Sequence, residues 1–205
     1  GSSTVAVGSA ALDANTTGAA NIAIGHNALT GNTTASNNIA IGNNSLVVNT
    51  TGDANLAIGS NALDRNTTAS SNTALGHAAL YLNTTGAANT AVGRNALLSS
   101  TTSNNTAVGF ESLKSQTTAA NNTAVGYEAL KDVTTGGENT AVGLQALTSN
   151  TTGYGNTAVG IFALDASTSA HSCTAVGRDA LGANNAHNNT AVGKDSLKVN
   201  TTGSQ

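Results

Sequence analysis

Few side chains in this sequence could do chemistry. Four histidines (His26, His77, His171 and His187), one cysteine (Cys173), ten acidic and seven basic residues are spread over 205 positions. His26 and His77 stand in matching surroundings, each directly after a glycine, but three sequence repeats separate them. If each repeat is one turn of a stacked coil, that is about 14 Å, too far to share a metal ion. His171-Ser172-Cys173 is a cluster with no further ligand at metal-binding spacing, so the histidines read as solvated surface groups. No nucleophile elbow, phosphate loop, paired carboxylates or calcium-binding glycine–aspartate pattern occurs. The expectation is a protein that is not an enzyme and carries no cofactor or metal.

Asn-Thr-Thr triplets begin at Asn15, Asn32, Asn49, Asn66, Asn83, Asn150 and Asn200, and each matches the glycosylation sequon. Their regular placement points to a structural origin, so glycans would matter only in a eukaryotic secretory host. The net charge is −3 and no basic patch exists, which argues against nucleic acid as a partner. No run approaches eighteen apolar residues, so no helical membrane insertion is expected. A lone cysteine cannot form an intrachain disulfide. The leading Gly1-Ser2 resembles a cloning remnant.

The elements that must position these residues are set by an unusual composition. Aromatics make up 2% and charged residues 8%, with no Trp, Met or Pro, while 39% of the chain is hydrophobic. Bulky side chains that fill wide cores are nearly absent, yet the charge is too low for ordinary disorder. A thin core of Ala, Val, Ile and Leu remains. The tripeptide Ala-(Val/Ile/Leu)-Gly occurs twelve times, ending at Gly8, Gly25, Gly42, Gly59, Gly76, Gly93, Gly109, Gly126, Gly143, Gly160, Gly177 and Gly193. The interval is seventeen residues, or sixteen before Gly109 and Gly193. The consensus is N-T-A-V-G-x-x-A-L-x-x-N-T-T-G-x-x.

A fixed period this short indicates a solenoid. Thr, Val and Ile cluster where a helix would want Leu, Lys and Glu, and Asn, Thr and Gly would break helical turns. The predicted fold is therefore all-β: a parallel β-solenoid of about twelve rungs. Residues 1–205 form one array, with rungs near 4–20, 21–37, 38–54, 55–71, 72–88, 89–104, 105–121, 122–138, 139–155, 156–172, 173–188 and 189–205. The sixteen-residue rungs lose a residue between Thr-Thr and Asn, which makes that segment a loop.

Strand alternation predicts which columns face in. Val5, Ile22, Ile39 and Leu56 in the second place, with Val7, Ile24, Ile41 and Ile58 in the fourth, are apolar and are expected inside. The alanine between them would then face out; Ala91, Ala107, Ala124, Ala141 and Ala158 are candidates for a face against which another surface packs. The leucine column from Leu12 is expected inside, the strand-end glycine at a corner needing positive φ, and the first-place asparagines in a hydrogen-bonded ladder. Cys173 replaces one of these asparagines.

N-T-A-V-G-x-x-A-L resembles the S-V-A-I-G-x-x-A phrase of YadA-like heads in trimeric autotransporter adhesins, which fold as parallel β-rolls. It is also similar to N-T-A-V-G repeats of tail-fibre-like proteins that carry a C-terminal chaperone. The resemblance covers all twelve repeats, and the adhesin rungs are shorter. It implies a homotrimeric fibre segment, extracellular, on a cell surface or virion, presenting a tip to a receptor or glycan. A mid-strand beginning and a mid-repeat end suit a piece of a longer fibre.

Two surface features bear on function. After the corner glycine, four consecutive rungs carry Phe110, Tyr127, Leu144 and Ile161, with Phe162 beside the last. They form an apolar stripe suited to subunit packing or to a receptor. The alternative to a fibre is an ice-binding solenoid with flat Thr and Ala ladders, although adjacent residues such as Thr16 and Thr17 would point to opposite faces.

Overall fold

The computed structural model describes residues 2–203; Gly1, and residues 204–205 of the expected rung 189–205, lie outside them. It is all-β. Twelve three-residue strands recur once per repeat: β1 Val5–Val7, β2 Ile22–Ile24, β3 Ile39–Ile41, β4 Leu56–Ile58, β5 Thr73–Leu75, β6 Thr90–Val92, β7 Thr106–Val108, β8 Thr123–Val125, β9 Thr140–Val142, β10 Thr157–Val159, β11 Thr174–Val176 and β12 Thr190–Val192. Among the described residues there is no helix. The chain is a parallel β-solenoid, and it divides into two compact units, residues 1–104 with β1–β6 and residues 105–205 with β7–β12.

Within the first unit, β1 to β6 pair in chain order, parallel and in register, so that Ala6 stands against Ala23 and Ile22 against Ile39. The second unit does the same from β7 to β12, with Ala124 against Ala141. Hydrogen bonds between rungs continue beyond the strands. Leu46 N–H donates to Ala62 C=O at 2.9 Å, and Thr16 N–H to Thr33 C=O at 2.9 Å. Within each unit, strand and loop alike are thus fastened to the corresponding part of the next rung, which is why identical residues stack in columns.

Each rung closes its circuit by left-handed backbone at fixed places. The corner glycines have φ between 122° and 140°, as the sequence predicts. A Cβ on Gly8 would meet the Gly25 carbonyl oxygen at 2.6 Å, so conformation and space both demand glycine. The leucine column lies inside from Leu29 to Leu181 as the spacing predicts, but its backbone is unexpected: all twelve of its leucines, from Leu12 to Leu197, sit at φ of 49–56°. Left-handed backbone costs about 1–2 kcal/mol for a residue with a side chain. Burying a leucine contributes about 1.5–3 kcal/mol, so the ladder outweighs its own strain. From Leu29 to Leu181 these side chains are fully buried.

The strand columns face opposite to expectation. Ala91, Ala107, Ala124, Ala141 and Ala158 are 0% exposed: they line the interior and are not an assembly surface. The second- and fourth-place residues point out, with Val7 at 57%, Ile24 at 38% and Leu75 at 43% exposure. The alternation was right and its parity wrong. With Leu, Asn and a second Ala or Ser column already inside, the coil has room for a methyl group but not for two branched columns.

Two core changes test this arrangement. Leu130→Ala should lower the unfolding free energy by about 2–5 kcal/mol in urea titration. Ala124→Arg should misfold, because a long charged side chain would enter a closed, methyl-sized space. Retention of the wild-type far-ultraviolet circular dichroism and melting temperature would place Ala124 outside the coil.

Candidate functional site

Two buried polar columns tie each rung to the next beneath the outer faces. In the first place of each rung, Asn21 Oδ1 accepts from Asn38 N–H at 2.9 Å, and its Nδ2 donates to Ala35 C=O at 2.8 Å. The same pair of bonds recurs at Asn38, at Asn55 and, in the second unit, at Asn122 and Asn139. The expected asparagine ladder exists, chiefly as amide-to-backbone bonds. Cys173 takes the same place, is buried, and turns its Sγ toward Ala186 C=O at 3.3 Å.

The sequon asparagines build a second ladder. Asn32 Nδ2 donates to Asn15 Oδ1 at 3.0 Å, Asn49 to Asn32 at 3.2 Å and Asn66 to Asn49 at 2.9 Å. Each also donates to the carbonyl three residues on, closing the turn. Asn32, Asn49, Asn66, Asn83 and Asn150 are 0% exposed, so their amides are closed to glycosylation in the folded chain.

Around this frame lie three outward features. The first is the strand face. In the first unit it carries Ile22, Ile39 and Leu56 in one column and Ile24, Ile41 and Ile58 in the other, all half-buried or exposed. In the second unit, Thr106 to Thr190 and Val108 to Val192 repeat the same two columns, with Val125, Val142, Val159 and Val176 at 36–37% exposure.

The second is the corner stripe. Phe110 and Tyr127 stack with ring centroids 5.3 Å apart and planes at 11°. Tyr127, Leu144 and Ile161 are 48%, 40% and 45% exposed. Their carbonyls accept the N–H of Gln145, Phe162 and Asp179 respectively, which fixes the column. Phe162 belongs to the adjoining column, beneath Asp179 and after Gln145, and is half-buried. That column carries an ion network that the sequence reading missed. Lys131 Nζ bridges Glu128 at 2.8 Å and Glu111 at 3.3 Å, Lys114 pairs with Glu111 at 2.9 Å, and Gln145 Nε2 donates to Glu128 Oε2 at 2.7 Å. The Lys131 and Gln145 hydrogen bonds hold the Glu128 carboxyl below its ordinary range. Superposing the rungs would have revealed it, since Glu111-x-x-Lys114 returns as Glu128-x-x-Lys131.

The third is a ring column in the loop of the second unit. Tyr154 stacks on His171 at 4.1 Å and His171 on His187 at 4.6 Å. The sequence reading left these two histidines as isolated solvated groups; His171 is in fact half-buried between two rings. The missing residue in rung 173–188 shifts His187 by one position, which hid the column. His26 and His77 remain exposed. Among the described residues no three His, Cys, Asp or Glu side chains converge on a point that could hold a metal ion.

No protein-family model, curated protein or solved structure matches this chain.

Asn139→Ala would strip the acceptor from the buried Asn156 N–H, while Gly153 C=O would keep its second donor, Asn150 Nδ2. An orphaned buried amide costs about 1–3 kcal/mol, so chemical denaturation should show a loss of that order. An unchanged midpoint would mean that water replaces the amide and that the ladder is not closed to solvent.

Proposed function

We propose that this chain is a segment of a homotrimeric extracellular fibre, on a cell surface or virion, that spaces or presents an adhesive tip. One observation carries the reading: the outward strand face is aliphatic in its fourth-place column in all twelve rungs, and in its second-place column through Leu56. Monomeric proteins seldom keep a contiguous apolar face, and partner copies of the same chain would cover it. Completing the burial of a half-exposed Val or Ile contributes about 0.5–1 kcal/mol. Six in one unit, with the neighbouring column, reach the several kcal/mol that association costs. The likeness of N-T-A-V-G to YadA-like and tail-fibre repeats adds to this.

The corner stripe supports the same assignment over glycan binding. Phe110 and Tyr127 each use a ring face on the other, and the exposed members of the column beyond them, Leu144 and Ile161, are aliphatic. A sugar stacking on an aromatic needs a free face, whereas an apolar protein surface accepts edges.

An ice-binding reading has one observation in its favour. The strand face carries outward Thr beside outward Val at strand spacing from Thr106 through Val192, a flatter array than the Thr-Thr loops offer. The two readings need the same face, so they exclude each other.

Sedimentation equilibrium at micromolar concentration should give a mass of three 19.9 kDa chains. Ile24→Glu and Val142→Glu should each shift it toward one chain without loss of β circular dichroism. A stable single-chain mass for the wild type removes the fibre reading. Thermal hysteresis by that monomer, lost in Thr157→Tyr, would establish ice binding in its place.

A further inference from the structure

The loop place occupied by Tyr154, His171 and His187 follows a rule visible along the first unit. There, the backbone N–H of one rung donates to the side chain in the same place of the next. Ala19 N–H donates to Ser36 Oγ at 3.0 Å, Ser36 N–H to Asp53 Oδ1 at 2.6 Å, Asp53 N–H to Ser70 Oγ at 3.0 Å and Ala87 N–H to Ser103 Oγ at 2.9 Å. A hydroxyl or carboxyl oxygen can accept this bond without first losing a proton.

In the second unit the same acceptor is an imidazole nitrogen. Tyr154 N–H donates to His171 Nδ1 at 3.3 Å, and His171 N–H donates to His187 Nδ1 at 3.1 Å. A ring nitrogen that accepts from an amide must be unprotonated, so both histidines are neutral with the hydrogen on Nε2. Protonation turns each Nδ1 into a donor pointing at another donor. It also places two positive rings 4.6 Å apart in a parallel stack. Both bonds and the stack would fail together.

We propose that His171 and His187 form a pH-responsive clasp, which fastens the loop column to Tyr154 at neutral pH and releases it in mildly acidic medium. Release exchanges an uncharged stack of rings for two cationic side chains on a chain whose net charge is only −3. The clasp lies within one chain and is independent of the fibre reading.

The titratable groups facing His171 are Tyr154 on one side and His187 on the other. The Cys173 thiol donates to the His171 carbonyl at 3.5 Å. Among the described residues neither histidine is paired with a carboxylate. Burial, followed by the charge of His187, pushes the His171 pKa below its ordinary value. A depressed folded-state value means that the released loop binds protons more readily. Closure is therefore complete above the ordinary histidine range of about 6.5 and is lost as pH falls below it.

Amide hydrogen exchange, read at Tyr154 and His171 and corrected for intrinsic rates, tests the clasp. Protection should fall at least about tenfold between about pH 7.5 and about pH 5, while Ser36 and Asp53 amides keep theirs. The double variant His171→Ser, His187→Ser restores the acceptor used in the first unit and should abolish the pH dependence. Equal protection of the wild type at both pH values overturns the proposal, as does an unchanged pH dependence in the double variant. Should that variant not fold, NMR titration of the wild-type imidazoles decides: a His171 pKa at or above the ordinary histidine value refutes the clasp.

Discussion

The interior of each coil is one methyl group deep behind the strand, and the other features follow from that width. Ala124 and its counterparts fill the space completely, so the residues on either side must turn outward however apolar they are. Leucine, the largest side chain of the interior, enters from left-handed backbone, and the place of the sequon asparagines also takes Gln116 and Val133. Asparagine fills the remaining interior places because its amide is small and can bond in two directions at once. A wider coil could have buried its branched residues and would have shown a polar exterior.

Stacking makes this narrowness workable. A single rung buries one leucine, two or three small side chains and at most two polar amides, too little to hold a loop of seventeen residues in one conformation. Repetition supplies what the rung lacks. Backbone N–H and C=O groups pair from rung to rung in strand and loop alike, and Asn21, Asn32 and their successors extend the pairing through the core. The same translation that aligns buried amides also aligns surface groups, which is how Glu111, Lys114, Glu128 and Lys131 come to share charge and Tyr154, His171 and His187 to share ring faces.

The consequence for function is that chemistry on this scaffold is columnar. A substitution acts on its neighbours above and below before it acts on anything else, and a face takes its character from several rungs in series. Aliphatic columns on the strand face, an edge-on aromatic stripe at the corner and an imidazole column in the loop are separate outputs of one repeat. The first two suit broad contact with another surface. The third changes its bonding with a proton.

Much of the fold could be read from the sequence: the period marks a solenoid, the corner glycines mark the turns, and the leucine column marks the core, because each depends on residue type and spacing alone. Which strand face points inward could not. Ile22-Ala23-Ile24 is equally regular in either parity, and hydrophobicity favours burying the isoleucines; only the closed cross-section, too narrow for them, decides for alanine. The left-handed leucines were hidden because propensity assigns such backbone to Gly and Asn, while here burial overrides the local cost. The stripe from Phe110 to Ile161 was legible because those residues occupy one place in full-length rungs. The histidine column was not, since a deleted loop residue moves His187 out of line in the sequence and the hydrogen bonds between rungs bring it back into line in space.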